Sequence, residues 1–108
     1  EDTEQKIQPD IGKLSTIKDI VGIAVTAKGI SCDFVSRFFA PNVGVAEDPV
    51  TGSSHSSLIP FWSERLQKKQ MIAKQLSSRG GTLYCENLGN RVNIGGSAVC
   101  YSKATLYI

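Results

Sequence analysis

The segment from Gly52 to Leu66 constrains the fold of this chain more than any other. Large apolar residues fall on most sides of a helix drawn through it, and its other residues are mainly small serines. The apolar residues are Leu58, Ile59, Phe61, Trp62 and Leu66, and the serines are Ser53, Ser54, Ser56 and Ser57. A helix without a clear polar face is normally buried. The segment therefore predicts a helix enclosed by other elements, in which Pro60 introduces a kink or removes one hydrogen bond.

The sequence on both sides of this helix predicts strands. Ahead of it, 21–27 is rich in small and β-branched residues and 32–40 alternates between two faces, and the Lys28-Gly29 turn between them favours a hairpin. After it, segments of period two are separated by glycine-containing turns, at 70–76, 82–86, 91–94 and 97–108. The chain thus predicts about six strands, the last of them long.

The rest of the chain predicts less regular structure. Residues 1–8 have the composition of a polar tail, and Asp10 can cap a short helix that ends near Asp19. Residues 41–51 contain two prolines and a glycine, which is typical of a loop.

Together these elements predict an α+β fold in a single domain over residues 1–108. Because the apolar helix must be surrounded, we expect a strongly curved antiparallel sheet, a partly closed barrel, wrapped around one central buried helix. One further short helix lies near the N-terminus.

Composition excludes several classes of function. A formal net charge of +2, without a basic stripe, does not indicate nucleic-acid binding. The chain has three cysteines, an odd number, and they lack C-x-x-C spacing: Cys32, Cys85 and Cys100. We therefore expect free thiols in a reducing, cytoplasmic compartment and no zinc site. No apolar run reaches the roughly 18 residues of a membrane span. No phosphate loop or dinucleotide motif implies a cofactor. The first residue, Glu1, suggests a fragment or processed product.

The turn before the long helix is the best candidate for chemistry. Gly52 would let a ligand approach the backbone, and the first amides of a helix, with its dipole, form a site for a carboxylate or enolate oxygen. Ser53 adds a hydroxyl, and Asp48 is near enough in sequence to accept or donate a proton. This arrangement suits proton abstraction beside a carbonyl. The same residues also fit an ordinary turn followed by an ordinary helix start.

Three further residues have both a functional and a structural interpretation. Arg37 lies between apolar neighbours on a strand. It either forms an ion pair with Glu47 or Asp48 and so holds the loop, or it extends its charged end to solvent. Arg79 precedes two glycines and either reaches a ligand carboxylate or belongs to a turn. His55 is the single histidine, and just inside a helix it is more often packed than a proton carrier.

Several motifs in order resemble the C-terminal half of the phenazine-biosynthesis (PhzF-like) isomerase family. They are S-R-F-F-A-P at 36–41, G-V-A-E-D-P-V-T-G-S-S-H at 44–55, F-W at 61–62, S-S-R-G-G at 77–81, R-V at 91–92 and G-G at 95–96. The resemblance covers nearly the whole chain after Val21. Ser54 departs from the family, which usually has alanine there.

The resemblance implies a diaminopimelate-epimerase-like fold, with two similar halves and an active site in the cleft between them. It implies a cofactor-independent isomerase acting on a small carboxylate-bearing metabolite, with Asp48 and Ser53 as catalytic residues. Gly52, Ser53 and Ser54 would bind the substrate, supported by Arg37, His55 and Arg79. Related racemases carry a cysteine where this chain has Ser53, so a two-thiol mechanism is not implied.

By the same resemblance, the general-base glutamate and a histidine-containing loop belong to the N-terminal half. Glu47 does not replace that base, and we expect this chain alone to be inactive. Its implied partner is that N-terminal half or a second copy of the chain, and we expect a homo-oligomer because an isolated half exposes apolar surface. The alternatives are a non-catalytic ligand- or protein-binding module of the same fold, or a fragment without a separate function.

Overall fold

The computed structural model describes residues 1–108 and contains one six-stranded sheet and three α-helices. The strands are β1 (Ile23–Lys28), β2 (Phe34–Ala40), β3 (Val45–Asp48), β4 (Gln70–Gln75), β5 (Gly81–Asn87) and β6 (Val92–Gly95). The helices are α1 (Asp2–Lys6), α2 (Ile11–Leu14) and α3 (Gly52–Leu66), with a 3₁₀ turn at Pro41–Val43. This is the predicted α+β class, with α3 as its one long helix.

The sheet is mixed rather than antiparallel. Its order is β1-β2-β4-β5-β6, with β3 also paired to β2. The β2–β4 pair is parallel, with Ser36 opposite Gln75, and the other pairs are antiparallel. The chain reverses direction between β2 and β3 and reverses again through α3, so β4 runs antiparallel to β3 and therefore parallel to β2. The antiparallel prediction is therefore wrong at the centre of the sheet.

The sheet is open, so the predicted partial barrel is not found. The strand order ends at β1 and β6, β3 pairs only with β2, and β6 has four residues. The long final strand expected at 97–108 is also absent. Its alternating apolar side chains extend into solvent, with Val99 93% and Tyr101 100% exposed. A strand needs a partner for its backbone groups, and these residues have none within the chain.

The helix α3 packs against one face of the sheet through a compact core. The core cluster comprises Phe34, Leu58, Ile59, Trp62, Met71, Ala73, Leu83 and Cys85. The Phe34 and Trp62 rings stack, with centroids 5.8 Å apart and an angle of 9° between their planes. Each fully buried side chain of this size contributes about 1.5–3 kcal/mol. The core thus fixes the position of α3 on the sheet, against β4, β5 and β6.

The prediction of a helix buried on all sides is wrong. Serines form much of the exposed side of α3, and Phe61, expected in the core, is 42% exposed beside Arg65. The sheet covers the opposite side, where Leu58, Ile59 and Trp62 lie. The helix runs unbroken through Pro60, whose side chain is exposed. The small serines therefore form much of the solvent-exposed side of α3, which the number of apolar residues in the segment did not predict.

Two segments expected to be irregular contain structure, and one helix is shorter than predicted. Residues 1–8 include α1, which contacts β1, and 41–51 include β3. Asp10 caps the second helix as predicted, accepting a hydrogen bond from the Lys13 amide at 3.0 Å, but that helix ends at Leu14. None of the helices has the length and apolar character required to cross a membrane.

Candidate active site at the start of the long helix

Thr51 organises the turn that leads into α3. Its hydroxyl donates to Asp48 Oδ2, and its amide donates to Gln75 Oε1 at 2.8 Å. Its carbonyl accepts hydrogen bonds from Ser54 Oγ at 2.9 Å and His55 Nδ1 at 2.7 Å. Thr51 is buried, and all its polar groups have partners. Although it is the N-cap residue, its side chain does not cap the helix.

The start of α3 consequently keeps unpaired amides. The first amides of a helix have no acceptor within the helix, and those of Gly52, Ser53 and Ser54 have none outside it. Gly52 and Ser53 are exposed. A Cβ placed on Gly52 would meet no atom within 4 Å, so this edge of the backbone faces open space. Free amides and the positive end of the helix dipole favour an anionic oxygen here.

A cavity of about 580 Å³ adjoins Gly52. Its other walls come from the loop into β5 and from the end of β6: Val50, Arg79, Gly80, Gly81, Thr82, Leu83, Ile94, Gly95, Gly96 and Ser97. Gly80 has a φ of +71°, which places the turn in the left-handed region. Arg79 is exposed and is the one charged residue in the lining. It could therefore pair with the carboxylate of a bound ligand.

Arg37 and Glu47 form a bidentate ion pair behind the turn. The Nε–Oε1 and Nη2–Oε2 distances are 2.7 and 2.9 Å, and the hydrogen bonds that Arg37 donates to Glu47 raise the pKa of Arg37. Arg37 Nη1 also donates to the carbonyls of Glu4 and Ile7. Of the two acids considered for Arg37, it pairs with Glu47 and not with Asp48. Arg37 thus anchors β3 and the N-terminal segment and does not line the cavity.

His55 is directed into the core and not into the cavity. It is fully buried, and its ring lies 5.8 Å from that of Phe34. Because a carbonyl only accepts hydrogen bonds, Nδ1 carries the proton in the bond to Thr51 and Nε2 is an acceptor. Nε2 has no partner. Burial lowers the pKa of His55, which keeps the ring neutral and suits a structural role.

The structure thus divides the predicted site residues into two groups. Asp48, Gly52, Ser53 and Ser54 lie together around Thr51. Gly52 and Arg79 line the same cavity, whereas Asp48, Ser53 and Ser54 do not line it. Arg37 and His55 support the turn from behind. Their catalytic and binding roles remain predictions.

The sequence analysis missed Thr51 and Gln75. Gln75 is 1% exposed and follows Met71 and Ala73 on the inward face of β4. A period-two count along 70–76 places a glutamine on that buried face, and a buried amide requires partners. That signal could have identified Gln75 from the sequence.

The cysteines lie apart from this cavity. None of Cys32, Cys85 and Cys100 lines it. Burial raises the pKa of Cys85 to about 11, so this thiol stays protonated at neutral pH. No three histidine, cysteine or acidic side chains come together as metal ligands.

The mixed sheet, the single long helix and the open helix start define an α+β domain with the architecture of the PhzF fold. The family model for phenazine biosynthesis-like proteins (PhzC-PhzF) matches residues 1–104. The chain belongs to this family.

Relatives and solved structures agree with this assignment. The chain is 52% identical over 106 residues to an uncharacterised isomerase of Pseudomonas aeruginosa, covering 98% of this chain and 40% of that protein. It is 49% identical over 106 residues to phenazine biosynthesis-like domain-containing protein 2 of Mus musculus, covering 91% and 35%. The crystal structure of a PhzF-family phenazine biosynthesis protein from Enterococcus faecalis matches with a TM-score of 0.90 and 48% identity, over 100% of this chain and 42% of that one. The chain therefore spans about two fifths of the length of these relatives.

Proposed function

We propose that this chain supplies one wall of the active site of a PhzF-like isomerase, which moves a proton on a small carboxylate-bearing metabolite without a cofactor. The observation that carries the proposal is the uncapped start of α3, where three unpaired amides follow the Thr51–Asp48 hydrogen bond and the first of them, that of Gly52, belongs to a residue that lines a cavity. The isomerase name of the Pseudomonas relative supports the reaction class.

The residues have distinct roles in this reaction. The amides of Gly52 and Ser53, with the Ser53 hydroxyl, stabilise negative charge that develops on a carbonyl or carboxylate oxygen when a neighbouring proton leaves. Ser54 contributes its amide, while its hydroxyl is bonded to Thr51. Asp48 assists the proton movement or holds a polar group of the substrate. Arg79 binds a carboxylate from the opposite wall.

The general base comes from outside this chain in the proposal. Glu47, the acid next to Asp48, has both carboxylate oxygens bonded to Arg37 and is not free to take a proton. His55 is buried and directed away from the cavity. The chain accordingly provides the oxyanion wall, and the part of the family length that it does not span provides the base.

The same reasoning gives the partner. Residues 97–108 expose large apolar side chains, at Val99 and Tyr101 and again at Leu106 and Tyr107. Exposed apolar surface of this extent favours association. We propose that it is covered by the N-terminal half or by a second copy of the chain, in a homo-oligomeric protein.

The alternative is a binding module of the same fold without catalysis. It is favoured by one observation: Asp48 is the one carboxylate at the turn not engaged in an ion pair, which leaves the chain without a second acid–base group at the amides. Such a module would bind carboxylates at α3 and would leave their protons in place.

One experiment in two stages separates these functions. In ¹⁵N NMR titrations with malonate and with benzoate, the amides of Gly52, Ser53 and Ser54 should shift most and that of Ser57, one turn further along, should shift little.

In the second stage, isomerase activity is assayed with small unsaturated carboxylates such as but-3-enoate in D₂O. The assay is run on the chain alone and on the chain joined to a segment that supplies the rest of the family length. Deuterium in the isomerised product of the joined protein, lost on Asp48→Asn, supports the isomerase. Binding without deuterium incorporation supports the module, and no shift at α3 would contradict both.

A further inference from the structure

Gln75 lies under the turn and contacts it with both ends of its amide. Its Oε1 accepts from the Thr51 amide at 2.8 Å. Its Nε2 donates to the Asp48 carbonyl at 2.8 Å and to Thr51 Oγ1 at 3.1 Å. The side chain is 1% exposed, at the end of a strand in the middle of the sheet. The turn is therefore held from the sheet.

The chemistry of these partners determines the direction of every hydrogen bond. The Thr51 amide can only donate and the Asp48 carbonyl can only accept, so the Gln75 amide has one possible orientation. Its Nε2 occupies an acceptor position of the Thr51 hydroxyl. The single proton of that hydroxyl is then directed to Asp48 Oδ2. Asp48 Oδ2 thus accepts this hydrogen bond, which holds the Asp48 side chain in one orientation.

The same contacts explain why the helix has no cap. A threonine at the N-cap normally turns its oxygen back to accept from the second or third amide of the helix, which here belong to Ser53 and Ser54. The Thr51 side chain does not do so, because its hydroxyl is held between Gln75 and Asp48. Without Gln75, rotation of Thr51 would place its oxygen on one of these two unpaired amides.

We propose that Gln75 is a positioning residue that keeps the Thr51 hydroxyl on Asp48 and thereby leaves the first amides of α3 free for an anionic ligand. This inference rests on the proposed function for the identity of the ligand, a carboxylate. The control of the helix cap itself is independent of any ligand. Gln75 touches no substrate in this role and acts through Thr51.

The test uses Gln75→Met, which keeps the length of the side chain and removes its amide. Gln70→Met is the matched control, because Gln70 lies on the same strand with an exposed side chain. Amide hydrogen exchange of Ser53 and Ser54 is measured by ¹⁵N NMR. Gln75→Met should slow exchange of one of these amides about fivefold, the protection given by a typical helix cap, and Gln70→Met should leave both unchanged.

A second substitution separates capping from loss of structure. Thr51→Val retains the shape of the side chain but has no oxygen, so in the Gln75→Met/Thr51→Val double variant the amides should exchange as fast as in the parent protein. Malonate affinity should fall about fivefold in Gln75→Met and recover in the double variant. Unchanged or faster exchange in Gln75→Met, or no recovery in the double variant, would overturn the proposal.

The two proposals can fail separately. If the parent protein binds no malonate but the exchange pattern is as expected, Gln75 controls the cap and the proposed function is wrong. If malonate binds and Gln75→Met changes neither amide exchange nor malonate affinity, the result supports the proposed function and the proposed role of Gln75 is wrong.

Discussion

Gly81 lies directly against Val50, so that a Cβ added to the glycine would overlap Val50 Cγ2. This contact joins the first residue of β5 to the turn before α3, and both residues line the cavity. The two walls of the candidate site are therefore packed against each other and not merely adjacent.

Substituting Gly81 by alanine should destabilise the protein by about 1–3 kcal/mol, because the added methyl group overpacks a well-filled contact. Gly96→Ala is the control, since a Cβ there has no atom within 4 Å. Urea unfolding followed by the fluorescence of Trp62, the single tryptophan, measures both variants. Equal stability of the two would show that the Val50 contact relaxes without cost.

Ser53→Ala should weaken the proposed reaction, because the variant loses a hydroxyl at the oxyanion wall. Loss of one such donor typically lowers turnover about 10²–10³-fold. Ser57→Ala is the control, since Ser57 is also exposed and lies one turn further along α3. Turnover of the joined protein is the measurement, and a similar loss in both variants would point to a general effect on the helix.

The neutral state of His55 should make stability depend on pH. Burial lowers the pKa of His55 in the folded protein, whereas the unfolded chain has the ordinary value of 6.5. Stability should be complete above about pH 6.5 and should decrease as the pH falls toward the folded-state pKa, because the unfolded state then binds more protons. The limiting slope is about 1.4 kcal/mol per pH unit.

The control for this effect is His55→Asn, whose amide can still donate to the Thr51 carbonyl. Free energies of unfolding from urea titrations between about pH 5 and 8 should be nearly constant for this variant. If the parent protein were equally stable across that range, His55 would bind its proton as readily in the folded protein as in the unfolded chain.

Arg37→Met should destabilise the protein by about 3 kcal/mol, because it leaves Glu47 unpaired in a largely buried position. It also removes the hydrogen bonds that Arg37 donates to the carbonyls of Glu4 and Ile7. Lys13→Met breaks an exposed pair with Asp10 and should cost less than about 1 kcal/mol. Thermal or urea unfolding compares them, and the Arg37→Met/Glu47→Gln double variant should recover part of the loss.

Sequence reasoning identified what depends on local pattern. Asp10 as a cap, the β1–β2 hairpin and the span of α3 follow from residue type and spacing, and the structure contains all three. The family was recognised from the motifs at 36–41 and 44–55, and the match over residues 1–104 confirms it. Local composition also identified Asp48 and Gly52 as candidate site residues, because both adjoin the turn before α3.

What could not be predicted depends on contacts between distant parts of the chain. The parallel pairing of β2 with β4 follows from where α3 returns the chain, which no short window contains. Gln75 meets Thr51 only through that pairing. The exposed side of α3 was misjudged because small serines have little hydropathy of either sign, so the position of the sheet decided which side is buried.

The extended segment at 97–108 has a consequence for the protein before it meets its partner. The core and the ion pairs lie within residues 1–96, so the body of the domain does not need residues 97–108 for its own packing. Until a neighbouring strand covers it, this segment is a β-prone, nearly uncharged stretch in which Lys103 alone discourages stacking with identical copies. Prompt docking would therefore protect the protein from aggregation as much as it would complete the fold.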